Sequence, residues 1–207
     1  MKRKILVKST KDQLISKTRF VHHVLRVTPW FKKNGKLGLI TIVRNEVVML
    51  PLGGQVLPYF KDTYGRWKIV SVKQYRPAIK KETFEGPGGR LDGEKPSVAL
   101  SRELEEETGI KVSPASIRIV FEEYTHPSIL SASVFGGIVE VKENMVENKR
   151  NAGKPSEKEQ TEVEVFDLLD FLTQREKKSI KIDLLTSRLV DEVAKAVGLL
   201  EKRYTAF

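Results

Sequence analysis

The chain has 207 residues, 40% of them hydrophobic, and carries a formal net charge of +10 with no cysteine. That length suits one substantial core or one domain with a smaller appendage, the apolar share argues against disorder, and disulfides, thiolate metal sites and cysteine nucleophiles are excluded. No apolar run approaches the ~20 residues of a membrane span and Ile5-Leu6-Val7 is too short for a signal-peptide core, so a cytoplasmic protein with no membrane partner is expected. The positive charge favours anionic partners without choosing among nucleotides, RNA and lipids.

In chain order, Leu39 to Leu50 (LITIVRNEVVML) reads as a hairpin centred on Arg44-Asn45, and Gln55 to Phe60 as a strand. Gly53-Gly54 marks a boundary, giving an N-terminal β unit over residues 1–54 and a main domain over 55–207. Trp67 to Arg76 (WKIVSVKQYR) reads as a strand with Ile69, Ser71, Lys73 and Tyr75 on the opposite face to Val70 and Val72. Ser97 to Thr108 lacks glycine and proline and carries Ala99, Leu100 and Leu104. Pro96 fits its first position and Gly109 the residue past its end, so a helix of about three turns is expected. Ile117 to Tyr124, Ser133 to Val141 and Thr161 to Phe166 read as further strands, and Asp183 to Lys202 as a second, amphipathic helix. Strands flanking a central helix make an α+β sandwich. Lys142 to Gln160 is almost wholly polar, a long loop of the kind that is functional or disordered.

On the central helix Glu103, Glu106 and Glu107 stand at i, i+3 and i+4, so their carboxylates share a face and repel. Arg102 can pair with Glu106 at i+4. The remaining negative charge suits hard divalent cations with oxygen ligands, Mg2+ or Mn2+. The preceding Gly88-Gly89-Arg90-Leu91-Asp92-Gly93 run opens backbone conformations closed to other residues, so a carbonyl beside Gly88 could complete a coordination shell. Glu94 and Arg102 are expected to brace this loop onto the helix. Glu105 falls on the other side, as surface.

Gly88 to Ile110 (GGRLDGEKPSVALSRELEEETGI) places Gly88, Glu94, Arg102, Glu103, Glu106, Glu107 and Gly109 in the spacing G-x5-E-x7-R-E-U-x-E-E-x-G-U, with U aliphatic. This resembles the Nudix box, the signature of hydrolases that cleave nucleoside diphosphates linked to another group. The resemblance implies a Nudix-type α/β/α sandwich of mixed sheets. The flanking VKQYRPAI, FEGPGGRLDGEKP and Thr125-His126-Pro127 are similar to the ADP-ribose pyrophosphatase branch over about residues 55 to 170. Here the loop PGGRLDGE is one residue shorter than the usual PAGKIDPGE, so either Pro87 or Gly88 could offer the metal-binding carbonyl. HPSILSA stands where that branch has an SPG-type loop.

Carried over on that resemblance, Glu103 and Glu107 would be the primary metal ligands and Glu106 a further ligand, a bridge or the base. Gly89, Glu94, Arg102 and Gly109 would shape the motif. Arg76 would hold a phosphate through the bidentate contacts of a guanidinium, with Pro127 in a substrate loop. Glu157 and Glu159 occupy the place of the general base on a late loop. The branch forms homodimers with exchanged N-terminal units whose aromatics stack on adenine, which makes Trp30, Phe31 and Phe20 candidates. The implied reaction is Mg2+-dependent cleavage of ADP-ribose or a related ADP-sugar to AMP and a sugar phosphate. The alternatives are another nucleotide, such as a dinucleoside polyphosphate or an oxidised triphosphate, or a non-catalytic RNA-binding or regulatory module. A nucleic-acid partner is not expected, because Lys80-Lys81 with Lys149-Arg150 is too sparse a basic track.

Overall fold

A computed structural model describes residues 5–7, 11–17, 22–34, 37–125, 130, 132–146 and 162–200, the first 49 as backbone strands only. The chain divides into two compact units, residues 1–52 with 124–133 and residues 53–123 with 134–207.

In the first unit, β1 (Ile5–Val7), β2 (Lys11–Lys17), β3 (His22–Asn34) and β4 (Leu37–Met49) form an antiparallel sheet with β3 central. The expected hairpin at Arg44-Asn45 is not present. Both residues lie inside β4, opposite Val27 and Arg26 of β3. Neither is a glycine that would adopt a primed turn without strain, and the uninterrupted strand pairs its backbone with the whole length of its equally long neighbour.

The second unit is built on a seven-stranded mixed sheet. Its central path runs β11 (Glu162–Asp167), β6 (Trp67–Arg76), β5 (Gly53–Lys61), β10 (Ser133–Glu140) and β9 (Arg118–Tyr124), with β7 (Lys81–Glu85) on β6 and β8 (Gly88–Arg90) on β5. The β5–β10 pair is parallel, and β6 pairs antiparallel with β5, β7 and β11. Alternation on β5 sends Leu57 and Tyr59 to one face and Val56 and Phe60 to the other.

On the Val56 face, Leu100 and Leu104 of α1 (Pro96–Thr108) pack with Val70, Ile110 and Val139. On the Leu57 face, α2 (Leu168–Glu176) and α3 (Leu184–Ala196) contribute Leu168, Phe171, Leu189, Val190 and Val193 against Ile69 and Ile138. Both faces of the sheet are therefore covered, which is why Ile69, Val70, Ser71 and Val72 are all buried where alternation alone would expose half of them. Each such aliphatic side chain contributes about 1.5–3 kcal/mol relative to exposure. The rings of Phe84, Phe166 and Phe171 meet edge to face at 5.0 and 5.1 Å, tying β7, β11 and α2 together.

The late helical region differs from expectation in two ways. The helix beginning after Asp183 ends at Ala196 rather than continuing to Lys202, because Gly198 takes a φ of 77° and Leu199 N–H closes back on Ala194 C=O at 2.8 Å. A separate helix, α2, follows β11 directly. Asp167 caps it by accepting from the N–H groups of Leu169 and Asp170. Gly53-Gly54 opens β5 at the start of the second unit, and a Cβ on Gly54 would sit 2.6 Å from the Phe135 carbonyl oxygen. No described helix is long and apolar enough to cross a membrane.

Candidate functional site

The loop between β7 and α1 is laid tightly against β5. Its strand β8 pairs Gly88 with Gln55, Gly89 with Gly54 and Arg90 with Gly53. A Cβ on Gly88 would come within 2.2 Å of the Gly54 carbonyl oxygen, a clash with backbone that no rotamer relieves. The Pro87 carbonyl accepts from Val56 N–H at 2.8 Å and so belongs to the sheet. In an antiparallel ladder the next residue turns its N–H and C=O away from the partner strand. Gly88 does so, donating its N–H to Glu107 Oε2 at 2.9 Å. The chain then reverses through Asp92 (φ 48°) and Gly93 (φ 86°) and enters α1 behind Lys95, with Pro96 at its start and Gly109 (φ 69°) closing its end.

Along α1, Arg102 is the hub. Its Nε donates to Glu94 Oε2 at 3.0 Å, Nη2 to the Arg90 carbonyl at 3.1 Å, and Nη1 to Glu103 Oε1 at 2.6 Å with a longer reach to Glu106 Oε2 at 3.4 Å. Burial pulls the Arg102 pKa down, but Glu103 and Glu94 outweigh it and hold the group above its ordinary value. The Arg102 guanidinium is therefore drawn between Glu103 and Glu106 of the helix and Glu94 of the loop. Glu103 lies directly over Gly89: a Cβ there would meet its carboxylate atoms at 2.5 to 2.7 Å. Glu105 points elsewhere and pairs with Lys111 at 2.7 Å.

The donors are all hard oxygen, and the glycine backbone forms a cradle that any side chain would fill, so the residues present fit a divalent cation. Among the described residues no three acidic or histidine side chains converge closely enough to define a metal position by themselves. In this arrangement Arg102 and the Gly88 N–H satisfy the carboxylates instead. An open hollow lined by Val98, Ser101, Arg102, Glu105, Glu106 and Pro114 lies on another flank of α1, and neither Glu103 nor Glu107 lines it.

At the end of β6, Arg76 grips Glu85 with two parallel bonds, Nε to Oε1 at 2.8 Å and Nη2 to Oε2 at 2.5 Å. Arg76 is 43% exposed while Glu85 is only 3% exposed, so the pair presents a fixed guanidinium at the surface from a buried anchor. Thr83 Oγ1 donates to Glu85 at 2.5 Å, Gln74 Nε2 at 3.1 Å and Gln55 Nε2 at 3.4 Å. Burial works to raise the Glu85 pKa; Arg76, Thr83 and Gln74 together overcome it and hold the carboxyl below its usual range.

Gln55 reaches onward to Asp183 Oδ2 at 2.9 Å and accepts from Thr186 Oγ1 at 3.0 Å, while Thr186 Oγ1 accepts from Gly86 N–H at 2.8 Å. Burial, with a contribution from Glu85, raises the Asp183 pKa against the lowering effect of its bonds to Thr186 and Gln55.

The structure thus places Glu103, Glu106, Glu107, Arg102, Glu94, Pro87, Gly88 and Gly89 on one loop and helix, and Arg76 on a neighbouring strand. Pro127, Glu157, Glu159 and Phe20 lie outside the described residues. Trp30 and Phe31 lie in β3, and their side chains are outside the description. Sequence reasoning missed Glu85, Gln55, Asp183 and Thr186. Asp183 with Thr186 three positions on is a legible helix cap, whereas nothing along the chain connects Gln55 to a residue 128 positions away.

A model of the NUDIX domain matches residues 56–185. The chain is similar to an ADP-ribose pyrophosphatase of Bacillus subtilis, 34% identical over 53% of this chain and 58% of that protein. It is also similar to an ADP-sugar pyrophosphatase of Mus musculus, 32% identical over 58% of this chain and 54% of that protein. A GDP-mannose pyrophosphatase of Cronobacter sakazakii is 28% identical over 78% of this chain and 81% of its own length. The chain thus spans little more than half the length of the first two relatives.

Proposed function

The chain belongs to the NUDIX family, and from that premise we propose that it is a divalent-metal-dependent hydrolase that splits the pyrophosphate of ADP-ribose or a related ADP-sugar into AMP and a sugar phosphate. The observation that carries this reading is the apposition of the glycine loop and the helix carboxylates, with Gly88 N–H on Glu107 at 2.9 Å and Gly89 directly beneath Glu103. The similarity to an ADP-ribose pyrophosphatase and an ADP-sugar pyrophosphatase supports the choice of substrate.

Glu103 and Glu107, with Glu106 and the Gly88 carbonyl, would hold Mg2+ or Mn2+. The chemistry a bound cation supplies there is neutralisation of charge on the phosphate oxygens and activation of water. Arg76, oriented by Glu85, binds a substrate phosphate and keeps the scissile anhydride in line. A carboxylate of the late loop, Glu157 or Glu159, accepts the proton of the attacking water, with Glu106 the alternative base. Water adds to one phosphorus as the bridging oxygen leaves with the other phosphate. Pro127 and the adenine-stacking aromatics, Trp30 first among them, complete the nucleotide site in a homodimer with exchanged N-terminal units.

The test is to strip the protein with EDTA, supply ADP-ribose with and without Mg2+ or Mn2+, and follow AMP by chromatography. AMP that forms only with metal is the expected result. Full turnover in metal-free buffer removes the metal reading, and hydrolysis of a nucleoside triphosphate in preference to ADP-ribose removes the substrate reading. A GDP-sugar is a second reading, favoured by the length over which the GDP-mannose pyrophosphatase matches this chain; GDP-mannose belongs beside ADP-ribose in the same assay.

A further inference from the structure

The two halves of the site, the phosphate-side arginine and the metal-side glycine loop, lie on different elements, and a single half-buried side chain, that of Gln55, touches the supports of both. Gln55 Nε2 donates to Glu85, whose carboxylate grips Arg76 in two bonds. The same Nε2 donates to Asp183, and Gln55 Oε1 accepts from Thr186, whose hydroxyl oxygen accepts from Gly86 N–H. Gly86 is the residue before the Pro87-Gly88 pair that carries the carbonyl assigned to the metal. Asp183 is itself held in place as the cap of α3, accepting from Thr186 N–H at 3.0 Å. Nearby, Phe84 N–H donates to the Lys181 carbonyl at 2.8 Å, so the approach to α3 is pinned along the end of β7.

We propose that Gln55 is a positioning residue that locks Arg76 and the Gly86-Pro87-Gly88 loop into one frame, through Glu85 on one side and Thr186 with Asp183 on the other. The proposal rests on the metal and phosphate roles given above. An amide is the side chain this place requires. It must donate to two carboxylates and accept from a hydroxyl at once, which neither a carboxylate nor an ammonium can do. The Thr186 hydroxyl is also used in both senses, donating to Gln55 and accepting from Gly86. Gln55 touches neither substrate nor metal in this scheme; it acts by fixing groups that do.

The test compares Gln55→Met, of similar length without polar groups, with Thr186→Val and the conservative Thr186→Ser in the full chain. Mn2+ binding is measured by electron paramagnetic resonance without nucleotide, and Mg2+ half-saturation, KM, kcat and Tm are measured in parallel. Loss of an outer partner of a metal ligand weakens metal binding about 10-fold or more. Gln55→Met is expected to weaken Mn2+ binding by that order and to raise the nucleotide KM, because both halves depend on it. Thr186→Val should weaken Mn2+ binding with little change in KM, and Thr186→Ser should restore it.

A Gln55→Met protein with a lowered Tm but wild-type Mn2+ affinity and KM overturns the proposal, leaving Gln55 a purely structural residue. Should that variant fail to fold, equal Mn2+ affinity in Thr186→Val and Thr186→Ser overturns it instead. Wild-type protein that binds Mn2+ but cleaves no nucleoside diphosphate sugar refutes the enzymatic reading, while the Mn2+ ratios still decide the role of Gln55.

Discussion

Gly89→Ala separates catalytic geometry from stability more sharply than any charge removal at this site. Gly89 has no positive φ, so its backbone accepts alanine, and the less entropic unfolded chain favours the variant by about 0.4–1 kcal/mol. The new methyl group would meet the Glu103 carboxylate at 2.5 Å, against ordinary contact beginning at 3.4 Å, so the carboxylate must retreat by about 0.9 Å. An off-rotamer side chain costs about 0.5–1.5 kcal/mol. The net change in stability is thus within about 1 kcal/mol, or roughly 2–4 °C in Tm for a chain of this size. A displacement near 1 Å in a positioned group costs about 100-fold in rate. The assay is kcat/KM against Mg2+ concentration beside a thermal melt. Expected is a near-normal melt with activity down by about two orders of magnitude and a raised Mg2+ requirement. Gly89→Ala with wild-type activity at limiting Mg2+ would refute the placement of Glu103 over the loop as a functional contact. Gly88→Ala is the control, since its Cβ would strike the Gly54 carbonyl oxygen at 2.2 Å and the fold itself should fail.

Four other outcomes are expected. Glu107→Gln keeps the side chain's shape but removes a charge, so Mg2+ half-saturation should rise with a fall in kcat; Glu157→Gln or Glu159→Gln, whichever is the base, should lower kcat by about 10²–10⁴-fold at an unchanged Mg2+ requirement. If both loop variants keep full activity, the base is Glu106. Glu85 has a depressed folded pKa, so its contribution is fully present above the ordinary value of 4.5 and is lost as pH falls through the folded value; Glu85→Gln should cost about 1–3 kcal/mol at neutral pH and flatten the acid limb of a Tm-versus-pH curve, and an unchanged acid limb would deny the pair that role. The exchanged N-terminal unit should make the protein a dimer by light scattering at micromolar concentration, and a fully active monomer would exclude the exchange.

Local signals and tertiary placement divide this molecule cleanly. Pro96 and Gly109 bracket α1 because the residues that start and stop a helix act through their own backbones, and the spacing of Glu103, Glu106 and Glu107 follows from the helical repeat alone. Trp67 to Arg76 was legible as a strand for the same reason. The sequence could not show that both faces of that strand are covered, since burial depends on α1 packing on one face and on α2 and α3 returning from the end of the chain to the other. Turn chemistry at Arg44-Asn45 was outweighed by a full-length partner strand. Between Pro87 and Gly88 the sequence left a choice of carbonyl; the pairing of β8 with β5 engages the Pro87 oxygen and turns Gly88 toward Glu107. Gln55 and Asp183 were invisible as partners, because a hydrogen bond between residues 128 apart leaves no mark on either one's neighbours along the chain. Sequence determined which groups could carry the chemistry, since that is a property of side chains and local repeats. Only the tertiary structure decided how they are aimed, since aim depends on backbone pairings made across the whole sheet.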